Sequence, residues 1–483
     1  MAFIGRTAEL ETLARLWRKQ TPSLVVCSGR RRIGKSTLVE EFAARSGCRF
    51  LEFEGLAPDR TMTDERQRNH FLDRLAELGG TPPIRAETWP KAFDALRKVV
   101  GPGTDRVVVL LDEISWMGGY DPGFAAFLKN AWDTGFSKRS GLILVVCGSV
   151  SAWIGENILR SKGFVGRISL DLRVEELPLA DCASFWGSAS ERVSSGELFD
   201  LLSVTGGVPK YLQEIDPGLS AAENVRNLCF LPEGYLFKDF DILFTDVFKR
   251  NAAEKRVVLE RLVDGPRTAG EIAAALGVSR NGHLTDLLAE LREAGFTSQD
   301  EGLNPDTGKP LRETRHRLCD NYARFYLKCI APRAAAVRKG LFRPASLDAM
   351  PGWNAILGLQ FETLVANHFR ELVPKLGLGG ALVTSAAPFF RAGTKARPGV
   401  QVDMMLQTRK SVWVVEIKRR GRIGESVEDE VRKKVVRLGL PRDVSVRTVL
   451  VYEGNLSPSV IEDGYFDFAI PAETLLGRGA TPP

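Results

Sequence analysis

A short segment near the N-terminus constrains the fold more than any other part of the chain. Ser23–Cys27 is an apolar, β-branched run, and Ser36–Ala44 carries apolar residues at helical spacing. The glycine-bracketed stretch between them, from Gly29 to Ser36, reads GRRRIGKS. A strand, a glycine-rich loop and a helix in this order match the G-x4-G-K-[ST] pattern. The segment predicts an α/β domain whose first loop encloses phosphate groups.

The residue types in this loop suit phosphate chemistry. Glycines let backbone N–H groups curve around phosphate oxygens, and the helix N-terminus adds positive potential. Lys35 supplies a cation for the β- and γ-phosphates, and the Ser36 hydroxyl can ligate Mg²⁺. An accidental glycine-rich turn ahead of a helix is the alternative. The residues expected to bind a nucleotide are Gly29, Arg30, Arg31, Arg32, Ile33, Gly34, Lys35, Ser36 and Thr37.

Bulk properties limit what the rest of the chain can be. Its 483 residues suffice for three domains at ~100–200 residues each. Lys+Arg 66 against Asp+Glu 60 gives a formal charge of +6, which permits nucleic-acid binding without requiring it. The seven cysteines have no metal-binding spacing, and neither a signal-peptide core nor an apolar run of ~18 residues is present. We therefore expect a soluble, cytoplasmic protein with reduced cysteines and no membrane partner.

Two further apolar runs end in polar residues that belong at a ligand-binding sheet edge. Val107–Leu111 leads into Asp112 and Glu113, and the carboxyl ends of parallel strands face the ligand in α/β folds. Asp112 is expected to hold Mg²⁺ through water and Glu113 to polarise the attacking water, unless both are solvated acids that merely end a strand. Leu142–Cys147 likewise precedes Ser149. Ser149 is expected to contact the γ-phosphate or the attacking water, or else to be a turn residue.

An arginine stands just before the next short strand. Gly166-Arg167 precedes Ile168–Val174, where an arginine can reach the γ-phosphate bound by a neighbouring subunit. This role of Arg167 predicts a homo-oligomer. An ordinary surface arginine is the alternative.

These motifs resemble those of the archaeal-type AAA+ ATPase family, a group of P-loop, STAND/AAA-like ATPases. The matching segments are FIGR, GRRRIGKS, LLDEISWM, CGSVSAWI, the GR at 166–167 and TGGVPKYL at 205–212. The resemblance implies an AAA+ core over 1–178, a helical lid over 179–246, and ATP and Mg²⁺ as cofactors. One departure concerns the paired serine of the family, which reads Ser149-Val150 here, so only Ser149 can carry the sensor role.

The pattern changes to short amphipathic helices in the middle of the chain. Helices are predicted over 251–263, 268–277 and 279–294, with Gly277 at a tight turn and Ser279 as the N-cap of the third. This helix-turn-helix signature predicts a winged-helix domain over 247–335, with packing or protein contact as the alternative to DNA binding. The candidate DNA contacts are Arg280, Asn281 and His283, followed in the wing by Arg312, Arg315 and Arg317.

A D…E-x-K pattern marks the C-terminal region. Glu416 and Lys418 differ by two positions on a predicted strand, so they project from one face, beside Asp403 on the neighbouring strand. With Glu362 on the preceding helix, the pattern is typical of restriction-endonuclease-like, PD-(D/E)xK folds, here over 350–477. Asp403 and Glu416 are the expected Mg²⁺ ligands, and Lys418 would stabilise a charged phosphate transition state. The proline of the PD motif is missing before Asp403, and 418–422 forms a basic cluster.

The sequence thus predicts an α/β protein with a P-loop AAA+ core, a helical lid, a winged-helix domain and a C-terminal α/β restriction-endonuclease-like domain. The expected function is an ATPase that controls DNA binding or metal-dependent DNA cleavage. The alternative is a nucleotide-switched regulator that binds DNA or protein and has a non-catalytic C-terminal domain. The candidate catalytic residues are Lys35, Glu113, Ser149, Arg167, Glu362, Asp403, Glu416 and Lys418.

Overall fold

The structure of the protein is a computed structural model. It describes residues 3–19, 21–149, 152–248, 251–305, 307–311, 314–342, 346–380, 382–395 and 397–478. The chain divides into two units, the first of which is Met1–Glu176 with Glu293–Gly295 and the second Leu177–Arg292 with Phe296–Pro483. Among the helices that the structure describes, none combines the length and apolarity that a bilayer crossing requires.

The first unit is built on a five-stranded parallel sheet. Its strands are β1 (Ser23–Gly29), β2 (Arg49–Glu54), β3 (Val107–Asp112), β4 (Leu142–Ser149) and β5 (Ile168–Val174), in the order β2-β3-β4-β1-β5. β1, β3 and nearly all of β4 are buried, as expected for unbroken apolar runs in a parallel sheet covered on both faces. The carboxyl ends of these three strands therefore meet at one edge of the sheet.

Helices surround this sheet. They are α1 (Thr7–Arg18), α2 (Lys35–Ser46), α3 (Asp64–Gly79), α4 (Trp89–Val100), α5 (Ile114–Met117), α6 (Phe124–Thr134) and α7 (Ala152–Ile154), which continues as a π-helical turn, Gly155–Leu159. A short 3-10 turn, Phe136–Lys138, follows α6. Aromatic rings fill the space between α3, α4 and α6, with the Trp89 and Phe124 ring centroids 4.7 Å apart. The buried Trp89 indole donates to Asp64 Oδ1 at 2.6 Å, which satisfies its one polar group.

The second unit opens with helices only. They are α8 (Leu179–Ala183), α9 (Ser195–Thr205), α10 (Pro209–Leu212), α11 (Ala221–Cys229) and α12 (Tyr235–Val247), with a 3-10 segment, Ser184–Glu191, after α8. Ser220 and Glu223 form a reciprocal capping box at the start of α11. The cap pairs the backbone N–H groups of both residues.

Three helices and a small antiparallel sheet follow. The helices are α13 (Ala252–Leu262), α14 (Ala269–Leu276) and α15 (Gly282–Glu293), and the strands β6 (Arg267–Thr268), β7 (Thr297–Asp300) and β8 (Arg315–Leu318) lie in the order β6-β8-β7. The prediction of Ser279 as the N-cap of the third helix was wrong. That helix begins three residues later, at Gly282, and the Asn281 side chain accepts the Leu284 N–H at 3.0 Å.

The rest of the second unit contains a mixed sheet. The helices are α16 (Asn321–Phe325), α17 (Ala334–Arg338), α18 (Trp353–Asn367), α19 (Phe369–Lys375), α20 (Ser426–Leu438) and α21 (Pro458–Glu462), with non-α turns at Tyr326–Ile330, Ala331–Arg333 and Ala472–Leu476. The strands β9 (Ser385–Arg391), β10 (Val400–Gln407), β11 (Ser411–Ile423), β12 (Ser445–Leu456) and β13 (Phe468–Pro471) lie in the order β13-β12-β11-β10-β9. β9, β10 and β11 pair antiparallel, whereas β12 and β13 join in parallel.

A buried polar network ties α9, α16 and α18 together. The Ser203 carbonyl accepts from the Gln360 amide at 2.8 Å and from the Asn321 amide at 3.2 Å. Arg324 donates to Gln360 Oε1 at 3.0 Å. Since buried polar groups must be paired, this network sets the rotation of α18, which carries Glu362 two residues after Gln360.

Candidate functional site

The loop between β1 and α2 has the geometry of a phosphate cradle. Gly34 has a φ of 83° and Arg32 a φ of 68°, both in the left-handed region that lets successive N–H groups point inward. A Cβ on Gly29 would lie 2.4 Å from the Val174 carbonyl oxygen, so only glycine fits there. Lys35 is 7% exposed, and its ammonium donates to the Arg30 carbonyl at 3.0 Å across the loop.

The two predicted acids lie beside this loop, at the end of β3. The Ser36 hydroxyl donates to Asp112 Oδ2, and Asp112 Oδ1 accepts the Glu113 N–H at 2.8 Å. Glu113 has a φ of 45°, an uncommon backbone conformation for a residue with a side chain, and its carboxylate lies 3.9 Å from Arg31. The structure therefore brings together Lys35, Ser36, Asp112 and Glu113.

Ser149 belongs to the same edge. It ends β4 and is the direct parallel partner of Gly29 in β1. Its Oγ is buried and has no hydrogen-bond partner among the residues that the structure describes. Since a buried hydroxyl without a partner is costly, this atom points to a ligand that is an acceptor or donor at the phosphate loop.

Arg30 and Arg31 contact protein groups around the loop. Arg30 pairs with Glu176 at 3.4 Å, and the Arg31 guanidinium stacks 4.7 Å from the centroid of the Trp116 ring. Thr37, the last residue predicted to bind nucleotide, is exposed on α2. The contacts of Arg30 and Arg31 hold the loop against neighbouring protein groups.

Arg6 supports the phosphate loop but is not among the candidate site residues. It is 3% exposed and donates to the Ile33 carbonyl at 3.0 Å while pairing with Glu9 at 2.9 Å. Its physical role in the structure is to hold the far side of the phosphate loop.

Arg167 lies apart from these residues and has a partner of its own. Its guanidinium makes a two-point contact with the Asp133 carboxylate at 2.6 and 2.9 Å, and Lys129 lies 2.8 Å from the same acid. These hydrogen bonds lower the pKa of Asp133 to about 2. Arg167 side-chain exposure is 31%, so the group remains accessible from outside the unit.

The predicted DNA contacts of the second unit are divided between exposed and internal positions. Arg280 is exposed, Asn281 caps α15, and His283 lies 2.6 Å from Glu254. Arg315 and Arg317, candidate DNA contacts of the predicted wing, are 18% and 11% exposed. Arg312 lies outside the described residues.

Arg315 and Arg317 both have partners within the second unit. Arg315 stacks 4.0 Å from the centroid of the Phe390 ring of β9, and Arg317 pairs with Asp300 at 3.4 Å and donates to Asn367 at 3.1 Å. They line a cavity of about 120 Å³ whose other walls include Glu362 and Asp403. Arg315 and Arg317 of β8 therefore share this cavity with Glu362 of α18 and Asp403 of β10.

Glu362, Asp403 and Glu416 form what we call the carboxylate cluster, with Lys418 beside it. Glu416 is fully buried and Lys418 Nζ lies 2.6 Å from its Oε1, as the two-residue spacing on β11 predicts. Asp403 Oδ2 accepts the Ile417 N–H at 2.9 Å. Burial, with the repulsion of Asp403, raises the pKa of Glu362 to about 7, and burial beside Glu416 raises that of Asp403.

A second lysine enters this cluster and was missed in the sequence. Lys434 of α20 lies 2.5 Å from Glu416 Oε2 and 3.6 Å from Asp403 Oδ1. The available signal was a lysine at a core-facing position of an amphipathic helix. Its neighbours Val431 and Leu438 are both in the hydrophobic core.

The two expected Mg²⁺ positions differ in how well their residues suit a metal. At the phosphate loop, the adjacent Ser36 hydroxyl and Asp112 carboxylate are oxygen donors of the kind Mg²⁺ takes. In the carboxylate cluster, two ammonium groups contact the oxygens of Glu416, so Asp403 and Glu416 do not fit a divalent ion as they stand. Within the described ranges, no three His, Cys, Asp or Glu side chains are grouped to hold a metal.

No family model matches the chain. An uncharacterized protein of Methanocaldococcus jannaschii is 24% identical over 439 residues, which is 90% of this chain and 90% of that protein. An uncharacterized ATP-binding protein of the same organism is 42% identical over 40 residues, or 8% of this chain and 68% of that protein.

Two solved structures give partial matches to the chain. The Walker-type ATPase PABY2304 of Pyrococcus abyssi gives a TM-score of 0.48 at 15% identity, covering 68% of this chain and 96% of that one. The ORC2 protein of Aeropyrum pernix gives 0.42 at 14% identity, with 70% and 97% covered. The parallel sheet, its strand order and the loop after β1 give the first unit an α/β fold that resembles a P-loop ATPase core.

Proposed function

We propose that this protein is an AAA+-type ATPase that binds and hydrolyses ATP where β1, β3 and β4 end. The observation that carries the proposal is the Ser36–Asp112 hydrogen bond, which joins the phosphate loop to the acidic strand end. The Ser149 hydroxyl beside Gly29, which has no hydrogen-bond partner within the described part of the chain, supports it independently.

Each residue has a distinct task in this proposal. The loop N–H groups receive the phosphates, and Lys35 exchanges the Arg30 carbonyl for a phosphate oxygen. Ser149 donates its hydroxyl to the γ-phosphate or the attacking water. Glu113 orients and polarises that water. Bound Mg²⁺ would neutralise phosphate charge, with Ser36 and Asp112 as its protein oxygen donors.

Nucleotide binding tests the proposal. A fluorescent ATP analogue is titrated with Mg²⁺ into the full chain, Lys35→Ala, and Lys91→Ala, which removes an exposed lysine of α4. Loss of a cation at the phosphates should weaken binding about tenfold or more in Lys35→Ala alone. Equal affinity in all three proteins would reject the site.

For the second unit we propose action on DNA under control of the nucleotide. Residues 179–246 would be the lid, 247–335 a winged-helix domain and 350–477 a restriction-endonuclease-like domain. Support comes from the α14–α15 helix pair with its three-stranded sheet, and from the carboxylate cluster with Lys418 beside the arginine-lined cavity. Metal-dependent cleavage is one form of this action. A regulator that binds DNA or protein without cutting is the other, and the Lys434 ion pairs favour it.

Incubation with plasmid DNA distinguishes cleavage from binding without cleavage. Wild type, Glu416→Gln and the exposed-site control Glu462→Gln are incubated with Mg²⁺ or Mn²⁺, with and without ATP. Nicking by wild type and by the control that disappears in Glu416→Gln would support cleavage. DNA binding without cutting under every condition would support the regulator. In that case Arg280→Ala should reduce the slope of log affinity against log salt concentration by about one.

A further inference from the structure

Helix α20 carries a lysine in its apolar stripe. Val427, Val431, Lys434 and Leu438 share one helix face, because their spacings of four, three and four residues follow the helical repeat. The three apolar members are buried under the mixed sheet. Lys434 is 21% exposed and extends toward the same sheet, where β10 and β11 carry Asp403 and Glu416.

The ammonium of Lys434 lies between these two acids. It is 2.5 Å from Glu416 Oε2 and 3.6 Å from Asp403 Oδ1. The remaining oxygens are also engaged, since Glu416 Oε1 is 2.6 Å from Lys418 and Asp403 Oδ2 accepts the Ile417 N–H. All four carboxylate oxygens therefore have a protein cation or donor near them.

We infer that Lys434 is a tethered cation that holds the place a divalent metal ion would take between Asp403 and Glu416. The carboxylate cluster binds such an ion only when this lysine is withdrawn or removed. A metal ion bound at about 2.0–2.6 Å from carboxylate oxygens cannot share them with an ammonium already in contact. The inference depends on neither ATP hydrolysis nor DNA cleavage.

Charge in the cluster points the same way. Among the described residues, the ammonium groups in contact with Asp403 and Glu416 are those of Lys418 and Lys434, and Lys418 is shared with Glu430 at 3.0 Å. Removing the Lys434 charge leaves Lys418 as the ammonium in contact with Glu416 and releases one oxygen each of Asp403 and Glu416 on adjacent strands. Carboxylates so placed attract a divalent ion strongly in a partly buried site.

Manganese binding tests the inference without any enzymatic readout. Nucleotide-free full-length protein is titrated with Mn²⁺, and unbound Mn²⁺ is followed by its paramagnetic resonance signal. Lys434→Gln should gain one site that binds about tenfold or more tightly than any wild-type site in this cluster. Lys433→Gln, which removes an exposed lysine of the same helix, should behave as wild type. Adding Glu416→Gln to Lys434→Gln should abolish the gained site.

The same titration can overturn the inference. Equal Mn²⁺ binding by wild type and Lys434→Gln, or a gain that persists with Glu416→Gln, would contradict it. Circular dichroism melting checks that each variant folds. If Lys434→Gln does not fold, Lys434→Met, which keeps the aliphatic stem, replaces it with the same two outcomes.

Discussion

Ser36, the second residue of α2, donates a hydrogen bond to the carboxylate of Asp112 at the end of β3, although the two lie 76 residues apart. The second oxygen of Asp112 accepts the Glu113 N–H at 2.8 Å. The acid is thus oriented from both sides. This relationship joins two motifs that the sequence presents separately, and it places Glu113 next to the phosphate loop.

Replacing Arg167 distinguishes a role at the nucleotide of a neighbouring subunit from that of an ordinary surface ion pair. Arg167→Ala removes the two-point contact with Asp133. The Arg167 and Asp133 side chains are 31% and 29% exposed. Because exposed ion pairs add little to stability, we expect urea unfolding of Arg167→Ala to differ little from that of wild type. If Arg167 reads the nucleotide of a neighbouring subunit, ATP turnover should fall about 10³-fold.

Arg173→Ala, at an exposed position of β5, is the matched control for that experiment. Turnover is measured over a range of protein concentrations, since an intersubunit contact requires assembly. A loss no larger than that of Arg173→Ala would leave Arg167 as an ion-pair residue of the surface.

The carboxylate cluster predicts an unusual pH dependence of stability. The pKa of Glu362 is raised from 4.5 to about 7 in the folded protein, mainly by burial and then by Asp403. The folded state holds this proton more tightly than the unfolded chain, so the stabilisation is fully present below pH 4.5 and is lost as pH rises through 7.

Glutamine copies the protonated form of Glu362 at every pH. The unfolding free energy of Glu362→Gln relative to wild type should therefore be about 1–3 kcal/mol higher at pH 8 than at pH 5. Urea unfolding at both pH values measures this, with Glu462→Gln as the baseline for an exposed glutamate. An unchanged difference between pH 5 and pH 8 would show that Glu362 is not buried beside Asp403.

Arg419 is expected to be a structural residue of the second unit. The sequence grouped it in a basic cluster, but it pairs with Asp200 of α9 at 2.6 Å and with Glu453 of β12 at 3.1 Å, and is 13% exposed. Arg419→Ala leaves two carboxylates without this cation and should lower the unfolding free energy by about 2–4 kcal/mol. Arg420→Ala, at the exposed neighbouring position, should lower the unfolding free energy far less. Thermal and urea unfolding of both variants measures the difference.

Features that depend on contiguous residues could be predicted from the sequence. The strand–loop–helix around Lys35 follows from a local pattern of glycines and apolar periodicity, and the structure has β1 and α2 there. The shared face of Glu416 and Lys418 follows from the two-residue repeat of a strand. Both are set by backbone geometry over a few residues.

Features that depend on distant partners could not. Asp133 pairs with Arg167, 34 residues later in the chain. Lys434 of α20 contacts Glu416 of β11, 18 residues earlier. Pairings of this kind require the packing of a helix on a sheet, which no local pattern specifies. The cap at Asn281 was missed for a smaller reason, because Ser and Asn are equally good caps and stand two residues apart.

ATP turnover by Glu113→Gln tests the central claim most directly. Glutamine keeps the size of the side chain but cannot polarise the attacking water as a carboxylate does. We predict ATP affinity within about threefold of wild type and hydrolysis reduced about 10²–10³-fold, while Glu77→Gln, at an exposed site of α3, hydrolyses normally. Hydrolysis by Glu113→Gln at the wild-type rate would contradict the account.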